Sequence, residues 1–248
     1  MPPPECKTRT DMKMIACALL AIVFASCAAA NGQTAAKGPY PTMAPLAKYL
    51  MPRAAEMAMA RNAGPASISA HATVLVLTKT GYVTAAKGTS GWVCFVGRMW
   101  SAGFDDPEFW NWHGRGPGCL NPPAVRTVLP QELALTNWAL AGLTREQIAK
   151  KSQEAYASHQ FTDPAPNSMA LMLSKQGYLN DGVAGPWRPH VMPFVAYSQI
   201  ATWGAGFEGS PVLAPPNNFR PYQPVTIAIP VAKWSDGSPA PPEKSSSM

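Results

Sequence analysis

The sequence predicts an α+β fold: a single domain built on one antiparallel sheet of about six strands, with helices packed on one face. Three features carry this expectation. Apolar, β-rich runs come first, between residues 73 and 97. Helical patterns fill the middle, over 131–141 and onward from Thr144. Three more apolar runs follow, at 169–174, 190–197 and 225–232. Strands, then helices, then strands again is the order of an α+β chain rather than of repeated βαβ units.

The first element is a short helix over 52–61, PRAAEMAMAR, rich in Ala, with Pro in its first turn and Gly64-Pro65 closing it. TVLVLT (73–78), GYVTAAKG (81–88) and GWVCFVG (91–97) are strand runs separated by short turns, which predicts a three-stranded antiparallel meander. In the third run Trp92, Cys94 and Val96 share one face while Val93 and Phe95 line the other. Two apolar faces place that strand inside the sheet.

Residues 98–130 form a long irregular stretch containing the acidic run Asp105-Asp106-Pro107-Glu108. A connection of that length is usually functional or pinned. Helix is then expected over 131–141, started by Pro130 and stopped by Gly142. A second helix begins at Thr144, where Thr144 with Gln147 forms a capping box and Leu143 against Ile148 a hydrophobic staple. Pro193 and Pro230 interrupt the last two strand runs. Because Pro cannot donate to a ladder, both belong at bulges or on an edge.

Ahead of the domain, Met14 to Phe24 (MIACALLAIVF) is apolar, preceded by Lys7, Arg9 and Lys13 and followed by small residues. This is the layout of a secretory signal, and it is too short for a membrane span of roughly 20 apolar residues. Residues 1–30 are therefore read as a signal peptide, and the mature chain carries no transmembrane segment. Two cuts compete. Ala28-Ala29-Ala30 before Asn31 satisfies the small-residue rule in full, whereas Phe24-Ala25-Ser26-Cys27 matches a lipobox only in part. The first is favoured, and lipidation of Cys27 is the alternative. Either outcome makes the domain extracytoplasmic, periplasmic or secreted. Residues 31–51 read as a flexible linker, 52–235 as the domain, and 236–248 as a disordered tail, since the two flanks cannot bury enough apolar area to offset their ordering entropy.

Cys6, Cys17 and Cys27 lie in the leader, which leaves Cys94 and Cys119 in the folded part. Two cysteines in an oxidising compartment suggest one disulfide, with two buried thiols as the alternative. Residues 1–30 hold three of the 20 basic and two of the 14 acidic residues, so the mature chain has 17 against 12, a net of +5. The basic residues are scattered, which argues against a nucleic-acid groove.

Best-marked catalytic motifs are absent: there is no G-x-S-x-G, H-E-x-x-H or P-loop. Gly204 to Gly209 (GAGFEG) matches G-x-G-x-x-G literally, yet Ser210-Pro211 follows where a dinucleotide site needs a helix. His113 and His190 with Asp105 or Glu108 offer metal-ligand types without a supporting spacing, so no metal and no cofactor is expected. His71 and His159 read as solvated. Trp100, Trp110 and Trp112 read as packing residues, with stacking on a ligand as the less common fate.

GWVCFV (91–96), MLS (172–174) and PHVMPF (189–194) together resemble a family of secreted bacterial proteins without an assigned activity, over roughly residues 54–234. The resemblance implies export and a single domain. It supplies no catalytic residues. Ala170 and Arg188 depart from the family pattern.

Three classes of function stay open. The leading one is a small-molecule or glycan binding module of the cell envelope. A cryptic enzyme using His190 or His113 and a structural or interaction protein are the alternatives. A shared site is expected where residues 105–119 meet 187–190, through His113, Arg115, Trp187, Arg188 and His190. There Trp187 supplies a stacking face, the two arginines hold an anionic group, and His190 donates a hydrogen bond or moves a proton. Its partner is an unidentified small molecule or envelope component. Intact-mass analysis of the exported protein should place the mature N-terminus at Asn31, and a diacylglyceryl group on Cys27 would overturn that placement.

Overall fold

A computed structural model of the chain describes residues 39–179, 181, 188–205, 207–212 and 225–241. All belong to one compact unit, Ala35–Met248. The fold is α+β, as expected. The strands are β1 (Thr73–Thr78), β2 (Gly81–Ala86), β3 (Val93–Gly97), β4 (Gly116–Leu120), β5 (Met169–Met172), β6 (His190–Val195), β7 (Val225–Thr226) and β8 (Ile229–Pro230). The helices are α1 (Arg53–Arg61), α2 (Ala66–Ser69), α3 (Pro122–Thr127), α4 (Leu129–Leu140) and α5 (Arg145–Ala157). One sheet runs in the order β2-β1-β3-β4-β5-β6-β7, with β8 also on β6.

The expected meander is corrected: β3 pairs with β1, in parallel, and not with β2. The reason lies in the side chains. TVLVLT is buried along its whole centre, whereas GYVTAA leaves Thr84 and Val83 exposed. The strand apolar on both faces takes the interior and the weaker one the edge. After β2 the chain must therefore cross the start of β1, and His71 O accepts from Thr89 N at 2.9 Å and Ser90 N at 3.1 Å as it does so. Gly88 makes the crossing possible, because a Cβ there would stand 2.2 Å from the Ala72 carbonyl carbon.

β1 and β3 pair only at Thr73↔Val93 and Val74↔Cys94. Beyond that point a buried ion pair takes the place of the ladder. Glu56 on α1 accepts from Leu77 N of β1 at 3.1 Å and from Arg98 Nη2 at 2.9 Å. Arg98, just past β3, donates through Nη1 to Val96 O and through Nε to Tyr49 O at 3.0 Å. Both charged side chains are fully buried. Tyr82 of β2 also donates to Val96 O, at 2.6 Å.

Helices cover both faces, which corrects the one-face expectation. Val74, Val76, Cys94, Val96, Cys119 and Leu171 meet Ala60 and Ala63 at the α1 end. Leu75, Val93, Phe95, Leu120, Ala170 and Met172 meet Ala124, Val128 and Leu129 of the α3–α4 region. A third cluster sets Trp100, Phe104, Phe109 and Trp110 against Leu135, Ala139 and Ile148. The Thr144–Gln147 capping box forms, with Thr144 Oγ1 accepting from Gln147 N at 3.3 Å and Gln147 Oε1 from Thr144 N at 2.8 Å.

The long irregular stretch contains β4 and α3, neither legible in its composition. β4 reads GPGCL, a poor strand sequence. It is held by neighbours on both sides and by the Cys94–Cys119 disulfide, whose Cα atoms are 4.0 Å apart directly across the β3–β4 pair. So close a pair is a non-hydrogen-bonded one, and by alternation Val96↔Pro117 is another. Pro117 thus withholds no bond from β3, and the Val96 carbonyl faces β1, where Arg98 and Tyr82 reach it.

Pro230 lies on an outer strand, as expected; Pro193 does not. It sits inside β6 with no bulge: Phe194↔Thr226 and Val191↔Ile229 keep one register across it. Ile227 N still donates to Pro193 O at 3.2 Å, but Pro193 has no N–H to return, so one strand divides into β7 and β8. The linker reading is also corrected over its described part. Leu46–Lys48 forms a 3-10 turn and Tyr49 is fully buried, its hydroxyl donating to Trp110 O at 2.8 Å. Of the tail, residues 236–241 fold back, with Ala240 N donating to Ala232 O at 2.8 Å. In both flanks a few anchored groups outweigh a composition that suggests disorder.

Arg98→Met leaves Glu56 charged and buried without its cation, and should lower stability by about 3–5 kcal/mol. Adding Glu56→Gln keeps an acceptor for Leu77 N while removing the charge, so the double variant should recover at least half of that loss. Urea denaturation of the three proteins checks this.

Candidate functional site

The residues singled out in sequence fall into two settings. The first is the end of the long loop. Its anchors are buried: Trp100 donates to Thr136 Oγ1 at 3.0 Å, and Phe109 meets Trp110 edge-on with centroids 4.7 Å apart. Trp100 and Trp110 therefore pack, as expected. Trp112 is half-buried, with the Lys48 ammonium 4.5 Å from its ring centroid and the His113 ring 3.4 Å away.

His113 is exposed, and its backbone N–H donates to Asn111 Oδ1 at 2.8 Å. Asn111 is fully buried and donates from Nδ2 to Glu108 Oε2 at 2.6 Å and to Asp181 Oδ1 at 3.3 Å. Asp181 also accepts from the hydroxyls of Tyr178 and Tyr40. These bonds, Tyr178 first, then Tyr40 and Asn111, with the nearby His113 adding to them, hold the Asp181 carboxyl below its ordinary value. The same carboxylate pushes Tyr40 up to about 12 and raises Tyr178. Neither phenol ionises near neutrality, so the arrangement is a clasp rather than an acid–base pair. It ties three distant parts of the chain together: residue 40, residues 108–113 and residues 178 and 181.

Arg115 belongs to this setting as a brace. It donates to the carbonyls of Trp112 at 2.8 Å, Gly114 at 2.7 Å and Lys48 at 3.2 Å, while its backbone bridges Tyr178. Burial, followed by repulsion from Arg98, lowers its guanidinium to about 10, still charged at neutral pH. Three of its donors serve the fold, which leaves less of the fork for an anion.

The second setting is the entrance of β6. His190 pairs with Met172 of β5 and Pro230 of β8, and its Nδ1 lies 2.8 Å from Arg188 O. A carbonyl only accepts, so Nδ1 carries the proton in the neutral ring. Burial lowers the His190 pKa despite that bond, which keeps the imidazole neutral at pH 7. Arg188 lines a cleft of ≈ 630 Å³ together with Gly209, Ser210, Pro211, Pro230, Val231 and Ala232. One wall is fixed by Val231 N donating to Pro189 O at 2.9 Å. The other is a turn in which Ser210 N donates to Phe207 O at 3.0 Å and Gly209 adopts φ +73°, a conformation that favours glycine. Trp187 and Cys27 lie outside the described residues.

His113 and Arg115 thus join the clasp, and Arg188 and His190 the cleft entrance. Asp181, Asn111, Tyr40 and Tyr178 were missed because no spacing links residues so far apart in the chain. Gly209 was noticed only as the end of a motif rejected for dinucleotide binding, and Ser210 only as the residue after it. Among the described residues no group of three or more His, Cys, Asp or Glu side chains is placed to hold a metal ion, and no helix is long and apolar enough to cross a membrane. No protein-family model, curated protein or solved structure matches this chain.

The clasp has a titration signature. Because the folded Tyr40 phenol ionises later than an unfolded one, its contribution to stability is complete below about pH 10 and is lost as pH rises through its folded value. Spectrophotometric alkaline titration should show a tyrosine ionising near 12. Asp181→Asn should return that phenol towards the ordinary value by about one unit or more.

Proposed function

We propose that this protein is an extracytoplasmic binding module for a small anionic molecule, held in the cleft at Arg188. The observation that carries the reading is a cleft of ≈ 630 Å³ whose lining, among the described residues, includes a guanidinium and no carboxylate. That volume lies within the range of about 300–1,000 Å³ typical of small-molecule sites. A planar fork of N–H donors suits carboxylate, sulfate or phosphate groups. The leader-like segment at Met14 to Phe24 and the Cys94–Cys119 disulfide support placement outside the cytoplasm. The resemblance carried by GWVCFV, MLS and PHVMPF agrees with export.

Binding is favoured over catalysis by what lines the cleft. Among the described lining residues Ser210 carries the one hydroxyl, and its Oγ accepts from Val212 N at 3.1 Å within its own turn. His190 is turned by Nδ1 to the Arg188 carbonyl. No nucleophile–base pair of the kind that activates a hydroxyl is formed by these groups.

Thermal-shift and calorimetric titrations with phosphate, citrate and glucuronate, each beside an uncharged counterpart, test the reading. At least one anion should bind, and Arg188→Gln should weaken it tenfold or more, as expected for loss of a charged hydrogen-bonded pair of about 1.5–3 kcal/mol. Equal binding by wild type and Arg188→Gln would overturn it.

A further inference from the structure

We infer that the outer edge of β2 is a docking site for an acidic peptide, which adds to the sheet as an extended strand. β2 ends the strand order on the side opposite β6, so this surface is independent of the Arg188 cleft. Leu77 N of β1 turns to Glu56, away from β2. Its partner Tyr82 is therefore a non-hydrogen-bonded residue of the β1–β2 pair, and by alternation so is Thr84, opposite Leu75. The N–H and C=O groups of both residues point outward. Among the described residues β2 pairs with β1 alone, so these four groups form an open edge. Thr84 is exposed, and Val83 between the two is 37% exposed.

The edge is basic. Lys79 in the β1–β2 turn and Lys87 just past β2 are both exposed, one at each end. Arg53 joins the Lys87 end, where it donates to Ala85 O at 3.3 Å. Carboxylates are scarce here. Between Glu56 and Asp105 the sequence has no Asp or Glu, and Glu56 itself is fully buried on Arg98. Glu132 of α4, the other carboxylate near Tyr82, is raised to about 7 by burial, so it carries only part of a charge at neutral pH.

These charges select the occupant. A second copy of β2 could use both outward residues only in antiparallel register, with Tyr82 against Thr84 of the copy and the reverse. That register brings Lys79 towards Lys87 of the copy at both ends, and like charges across a strand pair are destabilising. An acidic strand instead meets a lysine at each end, pairs its backbone with the four outward groups, and sets an apolar residue beside Val83. The main-chain bonds supply the attachment and the lysines the choice of partner.

The test is fluorescence anisotropy with labelled EDTVTVTDE peptide and its lysine-ended counterpart KKTVTVTKK, on wild type, the Lys79→Glu, Lys87→Glu double variant, and Thr84→Pro. The acidic peptide should bind wild type, with the lysine peptide weaker by about tenfold. The double variant changes two exposed positions and should lose about tenfold in affinity for the acidic peptide. Thr84→Pro removes an N–H that faces solvent, so it should keep the wild-type melting temperature while losing about tenfold in affinity. Failure of the acidic peptide to bind wild type, or equal binding by the double variant, overturns the inference. Unchanged affinity in a folded Thr84→Pro overturns strand addition; should that variant unfold, the charge reversal alone decides. A wild-type dimer in sedimentation equilibrium that Thr84→Pro dissociates would assign the edge to a second copy and overturn the acidic partner.

Discussion

The buried Glu56–Arg98 pair is the interaction on which the sheet depends. A parallel β1–β3 contact in an otherwise antiparallel sheet starts as two paired residues and then opens. The opening exposes backbone groups in the interior, where an unpaired N–H or C=O is costly. Glu56 takes Leu77 N, and Arg98 takes Val96 O and Tyr49 O, so one ion pair joins α1, β1, the end of β3 and the N-terminal segment. One Glu56 oxygen remains without a partner among the described residues, which makes Arg98 all the more necessary to that carboxylate. A buried pair of this kind adds little over well-packed apolar residues, but it fixes which groups meet.

The same pair explains part of what the sequence conceals. Glu56 sits in an Ala-rich helix, where a lone carboxylate suggests a solvated face, and nothing in its spacing points to Arg98. Strand positions were legible because TVLVLT and GWVCFV declare themselves by composition, and the Thr144 helix start because its cap is a local pattern. Strand order was not, because the meander assumption ignored that a strand apolar on both faces is placed inside even when this requires a crossing. β4 was hidden for a different reason. GPGCL has no strand propensity, and it is extended because Cys119 is bonded to Cys94 and β3 and β5 flank it.

Of the groups around the cleft, Arg188 and His190 were legible in the sequence and the walls were not. Arg188 and His190 stand beside a strand signal that could be read locally. Val231, Ala232 and the 207–210 turn come from later in the chain and are joined to them by tertiary contacts alone. His113 and Arg115 were expected beside them because the stretches 105–119 and 187–190 both combine aromatic bulk with His and Arg and are both stiffened by Pro, and because the second enters a strand that could pair near the disulfide-tied one. Their placement instead follows the Asp181 clasp, which is assembled from segments about 70 and 140 residues apart and leaves no periodic trace.

The Cys94–Cys119 bond has a topological consequence. It joins two adjacent interior strands, so residues 94–119 form a covalent ring that contains the whole loop carrying Trp100, Trp110, Trp112 and His113. A protease that cuts that loop once opens the ring without releasing a fragment. Both new ends stay tethered to neighbouring strands at the centre of the sheet, and the molecule leaves the cut with its mass raised only by the water consumed. For a protein proposed to sit outside the cytoplasm, the loop can therefore be nicked while the sheet beneath it keeps its chain in one piece.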